Sequence, residues 1–137
     1  MPNPDKILIV EDDPEIGYML SKSFSFLAYK VTLASDGFQA IERLEAERFS
    51  VVLLDLMLPG IGGVEILKRI RKQWPETEVI MLTAYASLDT ALDALRLGAY
   101  DYVTKPFEFS VVRSTVRRAS APCRWSAFSA DRRLPIP

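Results

Sequence analysis

Six side chains that could bind a metal ion or a phosphoryl group each stand just after an apolar segment of the sequence: Glu11, Asp12, Asp13, Asp55, Thr83 and Lys105. A carboxylate is costly to bury alone, so one at the end of an apolar segment is expected to be paired, solvated or bound to a metal. An ammonium and a hydroxyl group suit the oxygens of a phosphoryl group. The residue types predict a site for a cation, for a phosphoryl group, or for both.

Asp55 is the candidate nucleophile of this set. It follows four consecutive large apolar residues, Val51 to Leu54, and a carboxylate can itself attack phosphorus to form an acyl phosphate. Several carboxylates at close quarters attract a cation, and oxygen ligands favour Mg²⁺ or Mn²⁺ over Zn²⁺. A Mg²⁺ site that keeps several waters leaves room for a phosphoryl group. The expected chemistry is therefore metal-assisted phosphoryl transfer.

Strands that alternate with helices are expected to bring these distant side chains together. A segment that is apolar at every position, rather than at every second one, is typical of a strand covered on both faces. The pattern predicts five strands alternating with five helices. This is an α/β fold with a doubly wound parallel sheet, because parallel strands need helical crossovers. The carboxyl ends of the strands then share one edge, where ligands bind in folds of this class.

The spacing of apolar residues predicts which face of each helix is buried. In a first helix, over about 14 to 27, the inward residues are expected to be Ile16, Met19, Leu20, Phe24 and Leu27. In a fourth helix, over about 87 to 97, they are Leu88, Ala91, Leu92 and Leu95. In a last helix, over about 108 to 120, they are Val112, Val116 and Ala119. Asp13 and Asp36 are predicted N-caps, and Gly98 is a predicted helix stop.

Length and composition exclude several classes of protein. The 137 residues, 49% of them apolar, suit one globular domain. No apolar run approaches the roughly 20 residues of a membrane span, and the N-terminus lacks the pattern of a secretory signal. We expect a cytoplasmic protein. The single cysteine, Cys123, cannot form an internal disulfide, and the absence of histidine excludes Ser-His and Cys-His catalytic pairs.

Charge is divided unevenly along the chain. Residues 113–137 carry six arginines against one aspartate, whereas the remainder has an excess of acidic residues. An acidic body argues against nucleic-acid binding by residues 1–120, because phosphate contacts need a basic face. We expect residues 1–120 to form the domain and residues 121–137 to be a disordered linker, a tail or a remnant of cloning. A weaker hypothesis is that Arg124, Arg132 and Arg133 bind nucleic acid.

Four motifs together resemble the receiver domain of two-component response regulators. They are Ile7-Leu8-Ile9-Val10-Glu11-Asp12-Asp13, Val52-Leu53-Leu54-Asp55-Leu56-Met57-Leu58-Pro59-Gly60, Met81-Leu82-Thr83-Ala84, and Gly98-Ala99-Tyr100-Asp101-Tyr102-Val103-Thr104-Lys105-Pro106-Phe107. The resemblance covers about residues 5 to 120 and lies in the combination, since each motif alone is weak. It implies a flavodoxin-like sheet with strand order 2-1-3-4-5. One departure is Gly62, where the family often has a polar residue.

The resemblance implies a role for each residue of the site. Asp55 would accept a phosphoryl group from the phosphohistidine of a sensor histidine kinase. The ligands of Mg²⁺ would be the side chains of Asp12 and Asp55 and the backbone carbonyl of Met57, with Glu11 acting through water. Lys105 would then pair with the phosphoryl oxygens. Mn²⁺ is the alternative ion.

The resemblance also implies a conformational switch. Thr83 would turn its hydroxyl toward the phosphoryl group, and Tyr102 would rotate inward as Thr83 moves. The Lys105-Pro106 bond resembles the family's cis peptide. The surface of the fourth helix, fifth strand and fifth helix would then form a homodimer or contact an output domain, most often one that controls transcription. Such a domain is not an enzyme beyond its own phosphorylation and dephosphorylation.

Simpler interpretations and other function classes remain open at this point. Asp12 and Asp13 could be only helix caps, and Lys105 could be a solvated surface lysine. A phosphohydrolase with an aspartyl-phosphate intermediate would want a carboxylate two residues after the nucleophile, where this chain has Met57. A binding module that has kept the fold without phosphotransfer would not need the acidic cluster, Asp55 and Lys105 together. The sequence disfavours both.

Overall fold

The computed structural model describes residues 5–84 and 88–120, which fold into five strands and five helices that alternate along the chain. In order these are β1 (Lys6–Val10), α1 (Pro14–Phe26), β2 (Lys30–Ala34), α2 (Gly37–Ala46), β3 (Val51–Asp55), α3 (Gly63–Gln73), β4 (Glu78–Thr83), α4 (Leu88–Arg96), β5 (Asp101–Thr104) and α5 (Phe109–Ser120). The predicted alternation is confirmed. Residues 121–137, with the predicted tail and its arginines, lie outside the described residues.

The five strands form one parallel sheet in the order β2-β1-β3-β4-β5. The doubly wound fold and the strand order are therefore as predicted. β3 is the central strand, and every one of its residues is buried because helices cover both faces of the sheet. In register, Val10 on β1 lies beside Leu54, and Asp55 lies beside Leu82 on β4. The ends of β1, β3 and β4 consequently reach the same edge.

Alternate residues of the strands contribute to two separate cores. Leu8, Val10, Val52 and Leu54 point to the side covered by α2, α3 and α4. Their neighbours in sequence point to the other side, where the sheet packs against α1 and α5. Successive side chains of a strand face opposite ways, so a strand in such a sheet must be apolar at every position. This is why the segments before the candidate site are continuously apolar.

Three predicted helix boundaries are confirmed. The Asp13 carboxylate accepts hydrogen bonds from the backbone N–H groups of Glu15 and Ile16 and caps α1. The Asp36 carboxylate accepts one from Gln39 N–H at 2.8 Å and caps α2. Gly98 follows α4 with a φ of 104°, a conformation that other residues rarely adopt. Side-chain caps satisfy N–H groups that have no partner inside the helix.

Two of the predicted helix faces are partly wrong. Met19 of α1 is 39% exposed, and Leu92 and Leu95 of α4 are exposed rather than buried. Among the α4 side chains that the structure describes, a set that does not include Leu88, the buried one is Ala94, which joins the core beneath α2, α3 and α4. α4 packs against β5, the last strand of the sheet, and so lies near an edge, where its described leucines stay exposed. The predicted face of α5 is confirmed.

Among the described helices, none is long and apolar enough to cross a membrane.

Candidate functional site

Lys105 joins the ends of two strands that are far from it in sequence. It follows β5, and its Nζ donates to Glu11 Oε1 at 2.7 Å and to Asp55 Oδ2 at 2.9 Å. The two carboxylate side chains are at least 93% buried, whereas the lysine side chain keeps 13% of its surface exposed. The ammonium therefore reaches the cluster from the solvent side. This contact excludes the interpretation of Lys105 as a free surface lysine.

The charges of this cluster depend on one another. Burial raises the pKa of Glu11, although hydrogen bonds from Lys105 and from the backbone N–H of Asp13 lower it in part. Burial alone would lower the pKa of Lys105, but its hydrogen bonds to Glu11 and Asp55 raise that pKa above the usual value. An ammonium held between two carboxylates keeps its proton because each contact favours the charged form. The Lys105 ammonium is therefore a stable positive charge within the cluster.

A third carboxylate, that of Asp12, completes a set suited to a divalent ion. Glu11, Asp12 and Asp55 each offer an oxygen, and these oxygens all lie within 4.8 Å of one another. Lys105 contacts two of these carboxylates, those of Glu11 and Asp55, so the cluster has more carboxylates than ammonium groups. Oxygen donors of this kind are those that Mg²⁺ prefers. Asp12 is exposed, so an ion here would keep water ligands on its outer side. The residues present fit Mg²⁺ or Mn²⁺.

Asp13 is not a member of this set, because its carboxylate caps α1. The simpler interpretation of these acids as caps is therefore right for Asp13 and wrong for Asp12. This cap anchors the start of α1, and Glu11 and Asp12 lie on the chain immediately before it.

Asp55 is held from a second side by its own chain. The backbone N–H of Met57 donates to Asp55 Oδ1 at 3.0 Å, while Oδ2 accepts from Lys105. Each oxygen of the carboxylate therefore has a donor, and its orientation is fixed. The Met57 side chain is 59% exposed, so the residue contributes to the site through its backbone.

Thr83 and the segment after β5 meet at the same edge. Thr83 is fully buried at the end of β4, one residue beyond the register partner of Asp55. Its carbonyl oxygen accepts a hydrogen bond from the Lys105 N–H at 2.8 Å. The Lys105-Pro106 peptide is cis, as the resemblance implied. The end of β4 therefore positions the backbone that carries the ammonium.

Tyr102 links β5 to α4. It is half-buried, and its hydroxyl lies 3.4 Å from Thr90 Oγ1 on α4. The structure places it beside the core of α2, α3 and α4. Its movement as a switch stays a prediction.

The direct ion pair between Glu11 and Lys105 was missed by sequence reasoning, which gave Glu11 a role mainly through water. A signal for it exists in the sequence. Glu11 directly follows four apolar strand residues, and it is 3% exposed in the structure. A carboxylate at so buried a position needs a cationic partner, and Lys105 is the lysine that ends another strand.

Comparisons with known proteins agree with this geometry. The model of the response regulator receiver domain family matches residues 7–117. The chain is 42% identical over 113 residues to the uncharacterized transcriptional regulatory protein YkoG of Bacillus subtilis, covering 82% of this chain and 50% of YkoG. It is 38% identical to sporulation initiation phosphotransferase F of the same species, covering 83% of this chain and 92% of that protein.

A solved structure agrees as well. The BeF3-activated N-terminal receiver domain of Klebsiella pneumoniae RstA superimposes with a TM-score of 0.81 at 32% identity, covering 85% of this chain and 99% of that one. The chain spans about half the length of YkoG, so its relatives include longer proteins in which such a domain is one part. With its matching family model, strand order and edge of acidic and ammonium side chains, this chain belongs to the response regulator receiver domain family.

Proposed function

We propose that the chain is a phosphoacceptor that takes a phosphoryl group onto Asp55 from the phosphohistidine of a sensor histidine kinase. The observation that carries this proposal is the contact of Lys105 Nζ with Asp55 Oδ2 at 2.9 Å, beside two further carboxylates. An Asp55 oxygen would attack phosphorus as the phosphorus–nitrogen bond of the donor breaks. The electron pair of that bond stays with the imidazole.

The residues around Asp55 support distinct parts of this transfer. The Met57 N–H orients the carboxylate by its bond to Oδ1. The Lys105 ammonium would move from the carboxylate to the phosphoryl oxygens, and the Thr83 hydroxyl would donate to another of them. Because Lys105 and Thr83 already lie at this edge of the sheet, only short side-chain movements would be needed as charge develops at these oxygens. Positioning and electrostatics therefore account for the chemistry.

The ligands of Mg²⁺ would be the carboxylates of Asp12 and Asp55 and the carbonyl of Met57, with Glu11 acting through water. When bound, the ion would supply positive charge for the oxygens of the phosphoryl group. The three carboxylate oxygens within 4.8 Å of one another support this assignment. Mn²⁺ would take the same ligands, because its preferred donors are the same.

The output surface would be formed by α4, β5 and α5. Phosphorylation adds roughly −1.5 to −2 charge beside the end of β4, and Thr83 and Tyr102 would transmit it to that surface. The contact of Tyr102 with Thr90 and the exposed Leu92 and Leu95 of α4 support a face that can reorganise and bind a partner. A homodimer or a transcriptional output domain would be that partner. Residues 1–120 would form the domain, without direct nucleic-acid binding.

Phosphorylation by a small phosphodonor tests the proposal. The wild-type chain, Asp55→Asn and Asp13→Asn are each incubated with acetyl phosphate and Mg²⁺, and the incorporated phosphate is measured by mass spectrometry. We expect labelling to one phosphate per chain in the wild type and in Asp13→Asn, because Asp13 only caps α1. Asp55→Asn should take none.

Other outcomes would identify the other function classes. Steady release of phosphate through many turnovers would support an aspartyl-phosphate phosphohydrolase. The absence of labelling in the wild type, with both the small donor and a purified histidine kinase, would support a binding module that does not undergo phosphotransfer.

A further inference from the structure

The loop between β3 and α3, residues 56–62, carries Met57 but has few hydrogen bonds of its own. At its base the Gly63 N–H donates to the Leu56 carbonyl oxygen at 3.1 Å. In the described ranges, residues 58–61 form no backbone–backbone hydrogen bond. Gly60 has a φ of 76°, in the region that glycine adopts most readily. Packing, rather than hydrogen bonding, must therefore hold this part of the loop.

The first turn of α2 supplies part of that packing through Gly37. A Cβ atom placed on Gly37 would lie 2.7 Å from the carbonyl oxygen of Ile61 and 2.8 Å from its Cβ. It would also lie 2.9 Å from Cδ1 of Ile66 on α3. The backbone of α2 thus lies directly against the loop, at a distance that no larger residue allows. The Asp36 cap fixes this turn of the helix.

Phe38, the next residue, covers the other part of the loop. A Cβ placed on Gly60 would lie 3.0 Å from Cε2 of the Phe38 ring. The edge of the ring therefore lies over Gly60, although the residue as a whole is 65% exposed. Such a residue adds little to the core, and its contact with Gly60 is with the chain three residues after Met57.

We propose that Gly37 and Phe38 are positioning residues, which hold the β3–α3 loop so that Met57 keeps its place beside Asp55. This inference rests on the proposed function, in which the Met57 carbonyl binds the metal ion. If the loop samples other conformations, the apparent affinity for the ion falls in proportion to the fraction of chains that hold the binding conformation. The first turn of α2 would thereby set the metal affinity of a site to which it contributes no ligand.

Phe38→Ala tests this inference, with Phe26→Ala as the matched control. Phe26 is 90% exposed on α1, which packs on the opposite face of the sheet. Mn²⁺ binding is measured by electron paramagnetic resonance of the free ion, and loop protection by amide hydrogen exchange of residues 57–61. We expect the Mn²⁺ dissociation constant of Phe38→Ala to rise roughly threefold to tenfold, with faster exchange in the loop. Phe38→Tyr should restore both, and Phe26→Ala should change neither.

A rate measurement separates positioning from general destabilisation. At saturating Mg²⁺ the phosphorylation rate of Phe38→Ala should return to within about twofold of the wild-type rate, because metal binding selects the correct loop conformation. Gly37→Ala should act in the same direction as Phe38→Ala and more strongly. If Gly37→Ala does not fold, the Phe38 variants still decide the question.

Two results would overturn the inference. One is loop exchange in Phe38→Ala equal to that of Phe26→Ala, and the other is faster exchange with an unchanged Mn²⁺ dissociation constant. A wild-type chain whose Mn²⁺ affinity is the same as that of Asp12→Asn would instead contradict the proposed metal site. Hydrogen exchange would then decide by itself whether α2 holds the loop.

Discussion

Replacing Lys105 by methionine tests the electrostatic basis of the site. The substitution keeps an unbranched side chain of similar length but removes the ammonium that contacts Glu11 at 2.7 Å and Asp55 at 2.9 Å. Two buried carboxylates then face each other without a cation. We expect the variant to fold, to lose stability in the absence of divalent ions, and to regain part of it when Mg²⁺ is added.

The expected loss of stability in Lys105→Met follows from the burial of the ion pairs that Lys105 makes with Glu11 and Asp55. Removing one partner of a buried ion pair costs about 3–5 kcal/mol, because the charge that remains has lost its water and its counter-ion. The Lys105 side chain keeps 13% of its surface exposed, so water reaches the cluster and the lower end applies, about 3 kcal/mol. With the competing ammonium gone, Mg²⁺ should bind Lys105→Met more tightly than the wild type. Saturating Mg²⁺ should therefore stabilise the variant more.

Urea unfolding followed by circular dichroism, with and without Mg²⁺, measures both effects. Lys68→Met, which removes an exposed lysine of α3, is the control and should change the free energy of unfolding by less than about 0.5 kcal/mol. Adding Glu11→Gln to Lys105→Met should recover part of the loss, since it removes one of the repelling charges. A loss below about 1 kcal/mol in Lys105→Met, or a smaller stabilisation by Mg²⁺ than in the wild type, would refute the reasoning.

Three further predictions concern single residues. Asp12→Asn should weaken Mn²⁺ binding at least about tenfold by loss of a charged ligand, whereas Asp13→Asn should not; titration by electron paramagnetic resonance compares them. Asp36→Ala removes the cap of α2 and should lower the urea midpoint by an amount equivalent to about 1 kcal/mol. Gly98→Ala, at a φ of 104°, should cost about 1 kcal/mol in thermal unfolding. Gly62→Ala, at a φ of −72° and with no atom within 4 Å of the new Cβ, should cost clearly less. An equal cost for both glycine variants would contradict this account.

The apolar segments predicted the strands correctly because each strand is buried on both faces. A segment such as Val51 to Leu54 has few alternatives, since any exposed position would leave a large apolar side chain in water. The caps Asp13 and Asp36 were also predictable, because a cap depends on contacts within three residues of sequence. The buried faces of the helices were less predictable from the sequence. Leu92 and Leu95 fit a helical stripe, but α4 turns Ala94 inward.

The rotation of α4 depends on what lies beneath it, and its own spacing does not contain that information. The same limit applies to Gly37 and Phe38. In the sequence they belong only to the start of a helix, whereas in the structure they lie against a loop more than 20 residues later in the chain. Such contacts have no sequence signal because they depend on how two finished elements pack.

By itself, the sequence determined the order of strands and helices, the edge at which Asp55, Asp12, Thr83 and Lys105 would gather, and the family. The order follows from burial, which constrains residues that are close in the chain, and the edge follows because the carboxyl ends of parallel strands meet on one side. The family follows from the resemblance of the four motifs. Only the tertiary structure decided that Lys105 pairs with Glu11 as well as Asp55, and that the first turn of α2 lies against the β3–α3 loop. Those contacts join residues up to 94 positions apart, and their distances follow from the packing of the whole sheet.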